Sequence, residues 1–189
     1  MPSIENKDQA RRELRARRRA FVNGTGIGRL RIHAIVISRI TMEAAGNVRN
    51  IACYLANAFE VDAMPIVQLA CASGLSTALP HISEPGGTMR FLSWRPGDRL
   101  VTGPYGIPQP AGSADEIIPD AIVSPLVGFD RQGNRLGQGG GFYDRAFMAY
   151  PSAKRIGLAW SVQEIATLPV DSWDQPLHAV VTERERIDF

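Results

Sequence analysis

The sequence predicts an α/β fold of three layers, α/β/α, with helices on both faces of a mostly parallel central sheet. Three observations lead there. Short apolar strand cores recur along the chain: "NIACYLA", "STALP", "MRFLSW", "AIVSP", "RIGLAW" and "HAVVT". Stretches of helical length alternate with several of them, which favours crossover connections and a sheet buried on both sides. The 189 residues suffice for one sizeable core, and neither a repeat nor a linker divides them, so a single domain over 1–189 is expected.

Residues 4–21 read as the first helix, because Ala, Leu, Arg and Glu dominate and no Gly or Pro interrupts. Lys7, Arg11 and Arg15 recur every four residues and share one face. "NGTGIG" follows as an expected loop, since no strand precedes it to make its glycines a nucleotide fingerprint. Residues 29–49 suit strand or helix locally, and the distance to the next breaker favours helix. Residues 61–72 make a helix with Pro65 near its first turn. The segments 81–88, 102–119 and 125–141 are rich in Gly and Pro and read as long loops, which in a compact domain are functional or mobile. A last helix begins close to Phe142 or Tyr143.

Hydrophobic residues at 44% and charged residues at 21% argue against disorder. No apolar run reaches spanning length and the first residues are charged, so a cytoplasmic protein without a membrane partner is expected. Cys53 and Cys71, in "IACYL" and "QLACASG", read as buried reduced thiols. His33, His81 and His178 lack metal spacing, which argues against zinc. The net charge of +2 is uneven: residues 1–20 carry 7 Lys/Arg against 3 Asp/Glu, and the remainder 14 against 16. The basic first helix suggests an anionic partner such as phosphate, or simply a solvated face.

The densest signal is "NRLGQGGGFYDR", residues 134–145, with four glycines in the five positions 137–141. Glycine costs conformational entropy, so such a cluster has a local reason. A flexible turn is one. The other is a phosphate cradle, because a glycine run before a helix exposes consecutive N–H groups and the positive end of the helix dipole. Arg135 adds positive charge, and Asp144 in the first turn suits a hard divalent cation. The run is neither a P-loop nor G-x-G-x-x-G, since no Lys-Ser/Thr follows and Phe142 occupies the last glycine position.

"GFDRQGNRLGQGGGFYDR" closely resembles the signature of the 5-formyltetrahydrofolate cyclo-ligase (methenyltetrahydrofolate synthetase) family. Lys7 and Arg11, "CYLANAFEVD", "YGIPQP", "GLAWSVQEIATLPVDSWD" and "VVTE" follow the family's order across nearly the whole chain, most weakly over residues 22–50. The resemblance implies a Rossmann-like fold of the NagB/RpiA/CoA-transferase kind. It implies a monomer that closes 5-formyltetrahydrofolate to 5,10-methenyltetrahydrofolate with ATP and Mg²⁺ through an imino-phosphate. It places Lys7, Arg11 and the stretch Arg135, Leu136, Gly137, Gln138, Gly139, Gly140, Gly141, Phe142 and Tyr143 at ATP, with Arg135 and Tyr143 catalytic. Leu55, Glu60, Tyr105 and the segment from Gln138 to Phe142 would meet the folate. Asp144 and Asp174 match the magnesium positions.

Each assignment has a plainer alternative. Glu60 reads alternatively as a solvent residue at a strand end, Tyr105 as a packed core aromatic, Asp174 as a turn residue, and Asp144 as a helix N-terminal charge. Gln138, Trp173 and His178 depart from the family pattern, which keeps open a paralogue using ATP on another small molecule. A nucleic-acid module built on the arginine-rich helix is the remaining alternative. The slightly acidic body and the lack of any nucleic-acid motif weigh against it.

Overall fold

A computed structural model of the protein describes residues 6–189. Helix α1 spans Lys7–Thr25, capped by Asn6, whose side chain accepts from the Gln9 amide at 2.9 Å. The expected start at Ile4 lies outside the described residues. Helix α2 spans Ile27–Ala45. The loop expected at "NGTGIG" is therefore corrected to a single break at Gly26, whose φ of 74° only glycine adopts readily. Gly24 and Gly28 are absorbed into helices because Phe21, Val22 and Leu30 pack on the core around them. That burial offsets the roughly 1 kcal/mol cost of an interior helical glycine.

The chain then gives β1 (Asn50–Ala52), α3 (Met64–Ala72), β2 (Ser76–His81), β3 (Arg90–Ser93), β4 (Leu100–Thr102), β5 (Pro108–Pro110), β6 (Ala121–Pro125), β7 (Gly128–Phe129), β8 (Arg135–Leu136), α4 (Phe142–Ala149), β9 (Lys154–Leu158), a 3₁₀ turn (Ser161–Gln163), β10 (Ala179–Val181) and β11 (Arg186–Asp188). Seven strands form the central sheet in the order β11-β10-β9-β6-β1-β2-β3. The middle five are parallel, and the edges β3 and β11 run antiparallel.

Alternation along the strands sets the layers. Ile51, Leu79, Val123, Ile156 and Val181 pack with Ile37 of α2 and Ile66 and Val67 of α3. Ala52, Ala78, Ile122 and Val180 face the other way, toward Ala146 and Phe147 of α4. The expected three-layer α/β/α fold is what forms.

The long loops are corrected in part. Residues 102–119 contain β5, which makes a ribbon with β4, and 125–141 contain the β7–β8 ribbon. Neither shows in the sequence, because "PQP" keeps a single backbone amide donor between two prolines and the β7 and β8 runs are two residues long. β11 was likewise not foreseen. Cys53 is buried as expected, and burial pushes its thiol up to about 12; Cys71 is only half-buried.

Two features of the topology position a site. The chain leaves β1 in one direction through β2 and β3, and returns through β6 in the other, so β1 and β6 flank a switch point. Such crevices, beyond the carboxyl ends of parallel strands, are where open α/β sheets bind ligands. Helix α1 lies outside the sheet, seated through Ala10 and Leu14 on Val127, Leu136 and Leu168. This contact places the basic face of α1 against the glycine run.

Candidate active site

A cavity of about 700 Å³ opens at the switch point, within the range of small-molecule sites. The segment after β1 supplies Tyr54, Leu55, Asn57 and Glu60; the segment after β6 supplies residues 135–144. Lys7 and Arg11 reach in from α1, the β4–β5 ribbon contributes Tyr105 and Gln109, and Asp171, Trp173 and Asp174 close one side. Every residue that the family resemblance assigned to ATP, folate or magnesium lines this one cavity.

In the glycine run the carbonyls, not the amides, are engaged. Arg11 Nε donates to the Gly137 carbonyl at 3.0 Å, and an Arg145 terminal nitrogen donates to that of Gly140 at 3.1 Å. Among the described residues no backbone N–H from 137 to 141 donates to another protein group. Gly141, in the left-handed region at φ 63°, caps α4 without any side-chain cap. Free amides therefore meet the uncapped positive end of a helix, an arrangement suited to an anion.

Arg135 stands beside them, 5% exposed, donating from one terminal nitrogen to Asp144 Oδ1 at 2.6 Å. Its Nε is buried without a partner among the described residues. Burial lowers its pKa, against the opposing fields of Asp144 and Asp174. Lys7 Nζ sits 2.6 Å from Asp171 Oδ2 and 2.5 Å from Asp174 Oδ2. Burial pulls its ammonium down, but hydrogen bonds to the two carboxylates outweigh that and hold its pKa above the ordinary value. The Tyr143 hydroxyl is raised by burial and by the field of Glu60, so it stays protonated.

Asp144 and Asp174 both line the cavity, and no cluster of three His, Cys, Asp or Glu side chains suited to a metal occurs among the described residues. Magnesium takes one or two carboxylates and fills its shell with water and phosphate oxygens, so two hard oxygen donors beside an anion cradle fit that ion. Each carboxylate is paired here with a protein cation, Asp144 with Arg135 and Asp174 with Lys7.

Glu60 is 4% exposed, facing Arg18 from α1 at 3.6 Å and accepting from the Asn57 amide at 2.9 Å. That corrects its reading as a strand-end solvent residue. Tyr105 is 49% exposed at the cavity rim, its hydroxyl accepting from the Gly86 amide and its ring edge-on to Phe142 at 5.5 Å. It is not a core aromatic. Of the three departures, Gln138 is held by Arg15 at 2.5 Å and Trp173 stands exposed at the rim. His178 lies outside the lining, bonded to Arg155. Sequence reasoning missed Asp171, although its spacing of three before Asp174 was a visible signal. It also missed Met89 and Ile82, apolar lining residues with no motif of their own.

Similarity to known proteins agrees with this geometry. The profile of the 5-formyltetrahydrofolate cyclo-ligase family matches residues 3–183. The Escherichia coli K12 5-formyltetrahydrofolate cyclo-ligase is 35% identical over 139 residues, covering 70% of this chain and 76% of that one. The Haemophilus influenzae protein of the same name is 31% identical over 140 residues, covering 70% and 75%. An Aquifex aeolicus 5,10-methenyltetrahydrofolate synthetase structure superposes with a TM-score of 0.77 at 28% identity, covering 96% of this chain and 92% of the other. A Mycoplasma pneumoniae 5,10-methenyltetrahydrofolate synthetase shares the fold, with a TM-score of 0.70 at 21% identity over 94% and 99%. With the signature, the whole-chain fold and the cavity in agreement, the chain belongs to the 5-formyltetrahydrofolate cyclo-ligase family.

Proposed function

We propose that this protein converts 5-formyltetrahydrofolate to 5,10-methenyltetrahydrofolate, consuming ATP in the presence of Mg²⁺ and working as a monomer in the cytoplasm. The observation that carries the reading is one cavity holding two chemistries. The unengaged amides of residues 137–141, with Lys7, Arg11 and Arg135, suit phosphates. Glu60, in a cavity also lined by apolar Leu55 and Met89, suits a flat heterocycle with N–H donors.

In this reading the formyl oxygen attacks the γ-phosphorus and ADP leaves, giving an imino-phosphate. The side-arm nitrogen then adds to the activated carbon and gives up its proton to solvent, and phosphate departs. Phosphoryl transfer of this kind asks the protein for positioning and charge neutralisation. Arg135 and the glycine amides hold the transferring group, while Lys7 and Arg11 steady the rest of the phosphate chain. Glu60 orients the pterin and Tyr105 covers it. Tyr143, kept protonated, donates a hydrogen bond from the cavity wall. Bound at Asp144 and Asp174, magnesium would neutralise phosphate charge.

Incubation of purified protein with ATP, Mg²⁺ and 5-formyltetrahydrofolate tests this through the near-ultraviolet absorbance of the methenyl product. Product formation that requires all three supports the assignment. Folded protein that yields none overturns it. The paralogue alternative loses ground because Gln138 is occupied by Arg15 and His178 does not line the cavity.

A further inference from the structure

The Glu60 carboxylate lines the cavity at 4% exposure, a setting in which an unpaired charge is costly. Its neighbour across the wall is Arg18, 8% exposed and not itself a lining residue. One terminal nitrogen of Arg18 stands 3.6 Å from Glu60 Oε1 and donates to the Leu126 carbonyl at 3.2 Å. Burial lowers the Arg18 pKa while the field of Glu60 raises it, and guanidinium remains charged in proteins.

The backbone beside Glu60 is also constrained. Phe59 is the one non-glycine residue with positive φ, 72°, among those described. Such a conformation persists only where the surroundings impose it, and it gathers at functional sites. Two ties impose it here: the Trp160 indole donates to the Phe59 carbonyl at 2.9 Å, and the Arg19 guanidinium lies 5.3 Å from the centre of the Phe59 ring. Adjacent residues of α1, Arg18 and Arg19, thus grip adjacent residues of the loop after β1.

We propose that Arg18 is a positioning residue for substrate recognition, holding the Glu60 carboxylate turned toward the cavity from behind its wall. This rests on the function proposed above, in which Glu60 accepts from the pterin N–H groups. A carboxylate turned into the cavity presents acceptor oxygens to those donors. Helix α1 thereby serves both ends of the cavity. Lys7 and Arg11 face the proposed phosphate end directly, and Arg18, seven residues beyond Arg11, acts on the pterin end through Glu60.

The test measures KM for 5-formyltetrahydrofolate and for ATP separately, with melting temperatures, in wild type, Arg18→Met, Arg18→Lys, Glu60→Gln and the Arg18→Met/Glu60→Gln double variant. Arg18→Met should raise the folate KM about tenfold or more, as for a weakened charged hydrogen bond, and leave the ATP KM within about twofold. Arg18→Lys should recover part of the loss. The double variant should be no worse than Glu60→Gln alone, since Arg18 acts through that carboxylate. An unchanged folate KM in Arg18→Met, an equal rise in both KM values, or single effects that multiply in the double variant would overturn the inference. Should Arg18→Met not fold, the lysine and double variants carry the test, the latter leaving no unpaired charge. A wild type that neither binds nor converts the folate overturns the proposed function and this inference together. A working wild type matched by the variants overturns the inference alone.

Discussion

Arg135 and Asp144 form a nearly buried ion pair at 2.6 Å that leaves the Arg135 Nε without a partner among the described residues. The guanidinium is charged, desolvated and only partly satisfied, as a group awaiting an anion would be. Arg135→Ala is expected to lower turnover about a hundredfold or more, the cost of removing one preorganised electrostatic stabiliser. Single-turnover rates check this, and turnover equal to wild type removes Arg135 from the phosphates.

Asp144→Asn keeps the shape of the pair and removes its negative charge. The expected outcome is a magnesium titration whose midpoint moves several-fold higher, with a lower melting temperature because Arg135 then sits buried without a counter-ion. A wild-type metal titration would take Asp144 out of the proposed site.

Gln109 helps to fasten the β4–β5 ribbon that carries Tyr105, beside His81 at the Pro110 carbonyl. Gln109 accepts from the Ile82 amide at 3.1 Å and donates to the Ile82 carbonyl at 3.0 Å. Gln109→Leu would strand both backbone groups, each worth about 1–3 kcal/mol when buried unpaired. A lower melting temperature and a raised folate KM are expected together. Tyr105 offers a finer comparison: Tyr105→Phe should keep the folate KM within about twofold, whereas Tyr105→Ala should raise it about fivefold, the worth of one stacking contact. Equal KM values for the two variants would remove the ring from the folate site.

His178 predicts a pH dependence of stability. Burial, and then the positive fields of Arg155 and Lys154, lower its pKa below 6.5. Its Nδ1 accepts from the Arg155 amide at 3.0 Å, a bond that only the unprotonated nitrogen makes. Below pH 6.5 the unfolded chain takes a proton that the folded chain refuses, so stability falls as pH drops from 6.5 toward the folded pKa and is fully present above 6.5. Thermal melts between pH 5 and 7.5 should show that fall in wild type and a smaller one in His178→Gln. Parallel curves would contradict it.

The parallel strands and α4 were legible because each carries its own signal: a continuous apolar core for the strands, and a glycine run closing on "FYDRAF" for the helix. The ribbons β4–β5 and β7–β8 were not, since three-residue and two-residue strands are made by their partners and have no period to read. The site was legible to an unusual degree because the cyclo-ligase signature is contiguous, spanning residues 128–145, and the shorter pieces keep a fixed order around it. Asp171, Met89 and Gln109 stayed hidden, since lining a cavity leaves no local mark.

By itself, then, the sequence determined the fold class, the family and many, though not all, of the side chains that meet in the cavity. Tertiary structure alone decided what each is bonded to. Lys7 is paired with Asp171 and Asp174, Arg11 with a carbonyl of the glycine run, and Arg18 with Glu60, although all three arginine or lysine positions read alike along one helix face. The reason is physical. Helical spacing sets the direction of a side chain and gives Arg11 its near partner Asp8, but these distant partners and the desolvation come from chain segments more than forty residues away, brought there by the packing of α1 beside the switch point.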